Sequence, residues 1–243
     1  MSRRRGFFQV HLWTGIAIGV YIVVICLSGS VLVYRNELYS AFAPESGVPI
    51  PIGFRLTAWL LDLHDNLLAG GAGRRLNGVF ALLVLVMCAT GVVIWWPGVR
   101  NWRAAATVDW HANRKRFVWT LHGALGVWFF AFIVMWAFSG TYLAFPAAFQ
   151  AFFDYVEPLD EENPVERVGD TIQYWIAYLH FGRLGGRGII PGCGRGVCNE
   201  TTKAVWAIVA LVPPIMVVTG VMMWWNRVMS RARQSARQDK AAV

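Results

Sequence analysis

Charge is what this chain has least of. Only 15% of its 243 residues are Asp, Glu, Lys or Arg, and four long stretches contain none of them. Leu12 to Tyr34, Leu76 to Gly98, Phe117 to Phe153 and Ala204 to Asn226 each run for at least 23 residues without a charge. A soluble domain of this size has no use for such stretches, nor for thirteen tryptophans. About 20 apolar residues cross a hydrocarbon core about 30 Å thick at about 1.5 Å per residue. Lipid offers no water to open backbone groups, so each crossing must be a helix. Four transmembrane helices are expected, and the third stretch exceeds one span, with Pro146 marking its end.

Other absences narrow the chemistry. No GxGxxG precedes a helix, there is no Walker A motif, and no soluble segment is long enough for a flavin or nicotinamide domain. The chain therefore cannot take hydride from NADH unaided. The expected spans hold no carboxylate, which weakens a proton-coupled transporter. Cysteine is scarce, at four residues. Cys26 and Cys88 fall inside expected spans as small apolar fillers. Cys193 and Cys198 share the glycine-rich segment Gly192-Cys-Gly-Arg-Gly-Val-Cys. There a disulfide is favoured over a metal pair, and a redox-active dithiol is the third reading.

What charge there is, is placed unevenly. The N-terminus, the segment between the second and third spans and the C-terminal tail carry 13 Lys/Arg against 2 Asp/Glu. The other two connections, 35–75 and 154–203, carry 9 against 12, which completes the 22 and 14 of the chain. The positive-inside rule then puts both termini in the cytoplasm and both acidic connections outside. The net +8 is a topology signal and not a sign of nucleic acid, and the basic tail 227–243 suits anionic lipid. Arg3, Arg4 and Arg5 before an apolar run also suggest a cleaved signal peptide. The run is too long for that and lacks a small-residue cleavage site.

The chain repeats itself. At an offset of 111, His11 meets His122, Gly15 meets Gly126, Ile22-Val23 meets Ile133-Val134, Ser28-Gly29 meets Ser139-Gly140, and Leu32 meets Leu143. Further on, Leu63-His64 corresponds to Leu179-His180, and Thr90-Gly-Val-Val-Ile-Trp-Trp96 to Thr219-Gly-Val-Met-Met-Trp-Trp225. Repeat one covers about 6–102 and repeat two about 117–229, within one membrane domain of 1–243. Each half reads as span, outward segment with a histidine, span. The expected fold is an all-α integral membrane four-helix bundle of two parallel two-helix repeats, with short interfacial helices on its outer face.

Four of the five histidines occupy equivalent positions, and only His111 has no counterpart. A lone histidine near a helix end is usually an interfacial polar residue, but symmetry can bring two equivalent pairs face to face. His11 and His122 sit one turn into the apolar region, with Gly15 and Gly126 a turn further on. Facing imidazoles can supply both axial ligands of a haem iron, and the glycines would leave room for a flat macrocycle or simply allow close helix packing. His64 and His180 lie in 57–68 and 171–181, segments rich in Trp, Tyr and Leu that read as interfacial helices and offer a second, outward haem site. Arg74, Arg75, Arg183 and Arg187 could meet haem propionates there or serve as headgroup contacts. Zinc or copper would want more clustered ligands.

These motifs, His11-Leu-Trp-Thr-Gly15, Leu27-Ser-Gly-Ser30, Leu63-His64, Thr90-Gly91 through Trp95-Trp96-Pro97 and their second-half counterparts, resemble the PepSY-associated transmembrane helix family. That family includes iron-regulated bacterial inner-membrane proteins and ferric-siderophore reductases. The resemblance implies b-type haem in the bundle and electron transfer toward the periplasm, and the two histidine pairs set the expectation at two haems. As an enzyme the chain would be a membrane haem oxidoreductase of the ferric reductase kind. Larger members carry PepSY domains in the outward connections, which here have little room for them, so the likeness is to a core-only form. The leading expectation is a di-haem cytochrome b that takes electrons from quinol or a cytoplasmic donor and reduces an outward ferric complex. A cytochrome b subunit wiring a periplasmic oxidoreductase partner to the quinone pool is the redox alternative. A non-redox transporter or assembly scaffold is the alternative from another class.

Overall fold

A computed structural model describes residues 3–98, 100–159, 167–184, 193 and 196–241. Among the described residues it is all helical, in the order α1 (Arg3–Leu32), α2 (Arg35–Ala41), α3 (Ile52–Asn66), α4 (Gly70–Trp95), α5 (Trp102–Ala105), α6 (Arg114–Trp128), α7 (Phe130–Ala144), α8 (Pro146–Val156), α9 (Val168–His180), α10 (Gly196–Val209) and α11 (Val212–Ala241). Three stretches are long and apolar enough to cross a membrane: α1, α4, and Gly196–Ser230 formed by α10 with the start of α11. They become four if α6 and α7 form one broken span.

The helices turn their apolar side chains outward, the reverse of a soluble bundle. Val20 of α1 is 79% exposed, and Val10, Leu27 and Val31 of the same helix are also exposed. In water that surface would drive association, whereas in a bilayer it is the lipid-contact face. Small polar groups lie inside instead: Ser28, Thr90, Ser139 and Thr219 are all buried.

The third apolar stretch departs from the expected continuous helix. It breaks at Phe129, between α6 and α7, before it reaches Pro146. Near the break, Trp128 Nε1 donates to the Ala106 carbonyl at 2.8 Å, tying the end of α6 to the residue that follows α5. Pro146 then occupies the first turn of α8, where its missing N–H costs nothing. The interfacial segments expected around His64 and His180 are the helices α3 and α9, which carry these residues in their last turns.

The chain divides into two compact units, one from 1–23, 86–131 and 212–243, the other from 24–85 and 132–211. Each draws on both sequence repeats. In the first, α6 packs on α11; in the second, α2 packs on α3.

Candidate functional site

The first unit holds His11 on α1 and His122 on α6, their ring centroids 6.5 Å apart and nearly perpendicular. His11 Nδ1 lies 3.1 Å from both the Met87 carbonyl and Thr90 Oγ1 of α4. The Thr90 hydroxyl donates its own proton back to the Val86 and Met87 carbonyls. A carbonyl only accepts, and a hydroxyl whose proton is engaged can only accept from the ring. Nδ1 therefore carries the proton, and Nε2 keeps its lone pair. His122 repeats the arrangement, with Nδ1 2.9 Å from Thr219 Oγ1 and the threonine donating to the Ile215 and Met216 carbonyls.

The second unit does the same with serines. His64 Nδ1 lies 2.9 Å from Ser28 Oγ and 3.1 Å from the Ile25 carbonyl, to which Ser28 also donates. His180 Nδ1 lies 2.8 Å from Ser139 Oγ, whose proton goes to the Met135 and Trp136 carbonyls. The two rings are 6.2 Å apart. Burial pushes the His180 imidazole down to about 3, and the charges of His64 and Arg35 add to this. Burial also lowers His64, against the opposing pull of the Ile25 carbonyl and Asp65. Both rings are thus held neutral, as metal ligation requires.

All four rings retain accessible surface although protein surrounds them, and no buried side-chain nitrogen or oxygen is left unpartnered among the described residues. Each Nε2, which no hydrogen bond engages, therefore borders open space. An imidazole–metal–imidazole axis spans two bonds of about 2 Å plus about 1 Å from each nitrogen to its ring centre, about 6 Å in all. Both observed separations meet that length. No group of three or more His, Cys, Asp or Glu able to hold a bare metal ion occurs among the described residues. The donor sets fit a planar metal complex that needs only its two axial positions filled.

Residues 8–58, 45–167 and 157–227 match the family described as the PepSY-associated TM region. The chain belongs to this family. It also resembles "Uncharacterized protein PA4219" of Pseudomonas aeruginosa, at 30% identity over 85 residues, 34% of this chain. That match covers 20% of the relative, so the chain spans only a minor part of the relative's length.

Several site residues of this PepSY-associated TM chain stand where the repeat leads one to look, and others do not. Gly15 and Gly126 do not face open space: a Cβ on each would lie 3.2 and 3.3 Å from the Met87 and Met216 methyl groups. The glycines behind the first pair are Gly91 and Gly220, where a Cβ would come within 3.4 and 3.6 Å of the His11 and His122 rings. Arg74 is engaged by Asp65, Arg75 is exposed, Arg183 is half-buried, and Arg187 lies outside the described residues. His111 is exposed on the turn before α6. Cys193 and Cys198 are joined by a disulfide, and Cys26 and Cys88 are free. An apolar groove of about 420 Å³, lined by Phe138, Phe149, Phe152, Phe153, Ile172 and Ile176, brings no titratable group to the site.

Sequence reasoning missed the hydroxyls. The repeat aligns the Ser-Gly and Thr-Gly pairs only as equivalent positions, while their oxygens are what orient the imidazoles. The signal was available, because all four recur in the repeat in step with the histidines. It also missed Met87 and Met216, which are equivalent in the same alignment.

Proposed function

We propose that the protein is a di-haem b-type membrane electron-transfer protein, a four-helix bundle with both termini in the cytoplasm of a bacterial inner membrane. It would take electrons from quinol or a cytoplasmic donor and deliver them to an outward acceptor, with ferric iron complexes the first candidates. Family membership and the two histidine pairs support this reading. The observation that carries it is the fourfold recurrence of one arrangement: a hydroxyl fixed by its own helix, an Nδ1–H donated to it, and Nε2 bordering open space. Ligating histidines are commonly oriented in this way, since the second hydrogen bond fixes both tautomer and ring plane.

Bound between each pair, a haem iron would cycle between ferric and ferrous and carry one electron at a time. His11 with His122, and His64 with His180, would hold the iron through their free Nε2 atoms. Thr90, Thr219, Ser28 and Ser139 fix the tautomer of those imidazoles and aim them, and the surrounding apolar helices keep water away.

The test is direct. Protein purified from haem-replete cells should be red, with a Soret band that shifts on dithionite and about two haems per chain. Replacing His64 and His180 together by alanine should leave one. A colourless preparation would overturn the reading. If reduced protein were not reoxidised by a ferric siderophore, the acceptor would instead lie on a partner, and the subunit role would be favoured.

A further inference from the structure

The surroundings of the second histidine pair hold more positive charge than the described carboxylates neutralise. Arg35, the first residue of α2, places its guanidinium over the Phe181 ring, 4.5 Å from the centroid. Phe181 stands edge-on to His180, with ring centroids 5.5 Å apart. The Arg35 charge is felt by both His64 and His180, and the Arg183 charge acts on Arg35. Gly182, at φ +68, makes the turn that brings Arg183 back toward α9, where the Arg183 backbone N–H donates to the Tyr178 carbonyl at 2.9 Å. A Cβ on Gly182 would meet Trp206 at 2.8 Å, so the turn has little freedom to change.

The nearby carboxylates are already engaged. Glu37 and Glu200 both pair with Lys203, and Asp65 pairs with Arg74. Around the pair this leaves Arg35, Arg183 and Lys203 against Glu37 and Glu200, with Glu37 also feeling the Arg183 charge, so Arg35 is the cation left without a carboxylate. Arg35 has no ion pair with any described carboxylate, and both arginines are half-buried. Burial and the charge of Arg183 together make Arg35 harder to keep protonated. A part-buried guanidinium over Phe181, two residues before Arg183 in the chain and with no carboxylate of its own, bears a cost that an anion would relieve. Guanidinium's planar fork of N–H donors matches a carboxylate in shape and charge.

We propose that Arg35 and Arg183 form a carboxylate receptor beside the His64/His180 pair. It is filled either by the propionates of haem held there or by the carboxylates of an anionic ferric complex. The inference rests on the proposed haem site, and it moves the propionate role from Arg74 and Arg75 to Arg35.

The experiment compares the full-length wild-type protein with Arg35→Gln, Arg183→Gln, the double variant and Arg35→Lys, each checked for monodispersity in detergent. Haem per chain is counted first, then midpoint potentials are measured, then reoxidation by ferric citrate and by a neutral ferric hydroxamate. If propionates fill the receptor, the glutamine variants lose haem from the second pair or lower its potential, and both ferric complexes are affected alike. If the acceptor fills it, haem content and potential hold, while reoxidation by ferric citrate slows about tenfold and the neutral complex is spared, the loss expected for a charge-assisted hydrogen bond. Arg35→Lys keeps the charge and should retain most of either effect. Haem content, potentials and both rates all unchanged in the double variant would overturn the receptor. If the wild type itself carries no haem at the second pair, the proposed function fails there on its own account. Calorimetric titration with citrate then decides the receptor separately: saturable binding abolished in the double variant supports it, and no binding overturns it.

Discussion

Each of the four histidines rests on one hydroxyl, and each hydroxyl has already given its own proton to a helix carbonyl. Removing the oxygen while keeping the shape isolates its role. Thr90→Val and Ser139→Ala should each weaken haem binding at their own pair by about 10- to 100-fold, the usual cost of losing a ligand's orienting partner. Thr90→Ser should restore most of it, as read by haem titration of the apoprotein. Glycine contacts separate the two halves. A Cβ on Gly29 would meet His64 Cε1 at 2.9 Å, whereas one on its counterpart Gly140 would meet only the Ala81 methyl at 3.6 Å. Gly29→Ala should therefore displace the second-pair haem and Gly140→Ala should not, with haem per chain as the measure. Acid should act on the same pair. His180 and His64 have folded values below the ordinary 6.5, so the unfolded chain binds more protons. Their contribution to stability is complete above about pH 6.5 and falls away as pH drops from there through their lowered folded values, about 3 for His180. Apoprotein melting temperature should decline across that window, and replacing both histidines by alanine should flatten the decline.

At the scale of elements, the histidine-bearing helices outside the spans are fastened at their ends. Asn77 of α4 donates to the His64 and Asp65 carbonyls, closing the C-terminus of α3 against α4. Beyond that terminus Leu67 and Leu68 take positive φ, which a branched side chain adopts at a cost of about 1–2 kcal/mol each and which these end bonds must hold in place. On the other side, Glu157 accepts from the Val168 and Gly169 N–H groups at the start of α9. Arg167, only 7% exposed, joins Asp154 in the last turn of α8 to Asp170 of α9. Trp206 Nε1 donates to the Leu179 carbonyl at the far end of α9. Asn77→Ala should cost about 1 kcal/mol for each bond lost and raise amide exchange in the last turn of α3. Its effect on haem should fall on the second pair alone; equal loss at both pairs would show that Asn77 supports the bundle generally and not the His64 helix.

For the whole molecule, exposed apolar side chains on long helices imply lipid contact, and the uneven placement of Lys and Arg implies orientation. Alkaline phosphatase fused after residue 241 should be inactive, and fused within 42–51 it should be active, if both termini are cytoplasmic. The reverse pattern would invert the topology and put the His64/His180 pair on the donor side. Spans were readable in the sequence because hydrocarbon imposes one length and one backbone solution. The break at Phe129 was not readable, because no proline or glycine occupies that position and the neighbouring hold, the Trp128 indole on Ala106, is a contact between residues 22 apart.

The four histidines could be picked out from one chain because duplication writes the same motif twice, and each repeat-equivalent pair meets within one compact unit. Composition and charge were likewise enough for an all-helical membrane protein, since both act through bulk properties of the bilayer. Tautomer, ring orientation and the identity of the orienting hydroxyls came from folding alone. Ser28 serves His64 across 36 residues and Thr219 serves His122 across 97, and no local spacing encodes such bonds. Arg35 belongs with them. It reads as one more loop cation until α2 sets it over Phe181, beside two neutral histidines, where the cost of a part-buried charge calls for an anion.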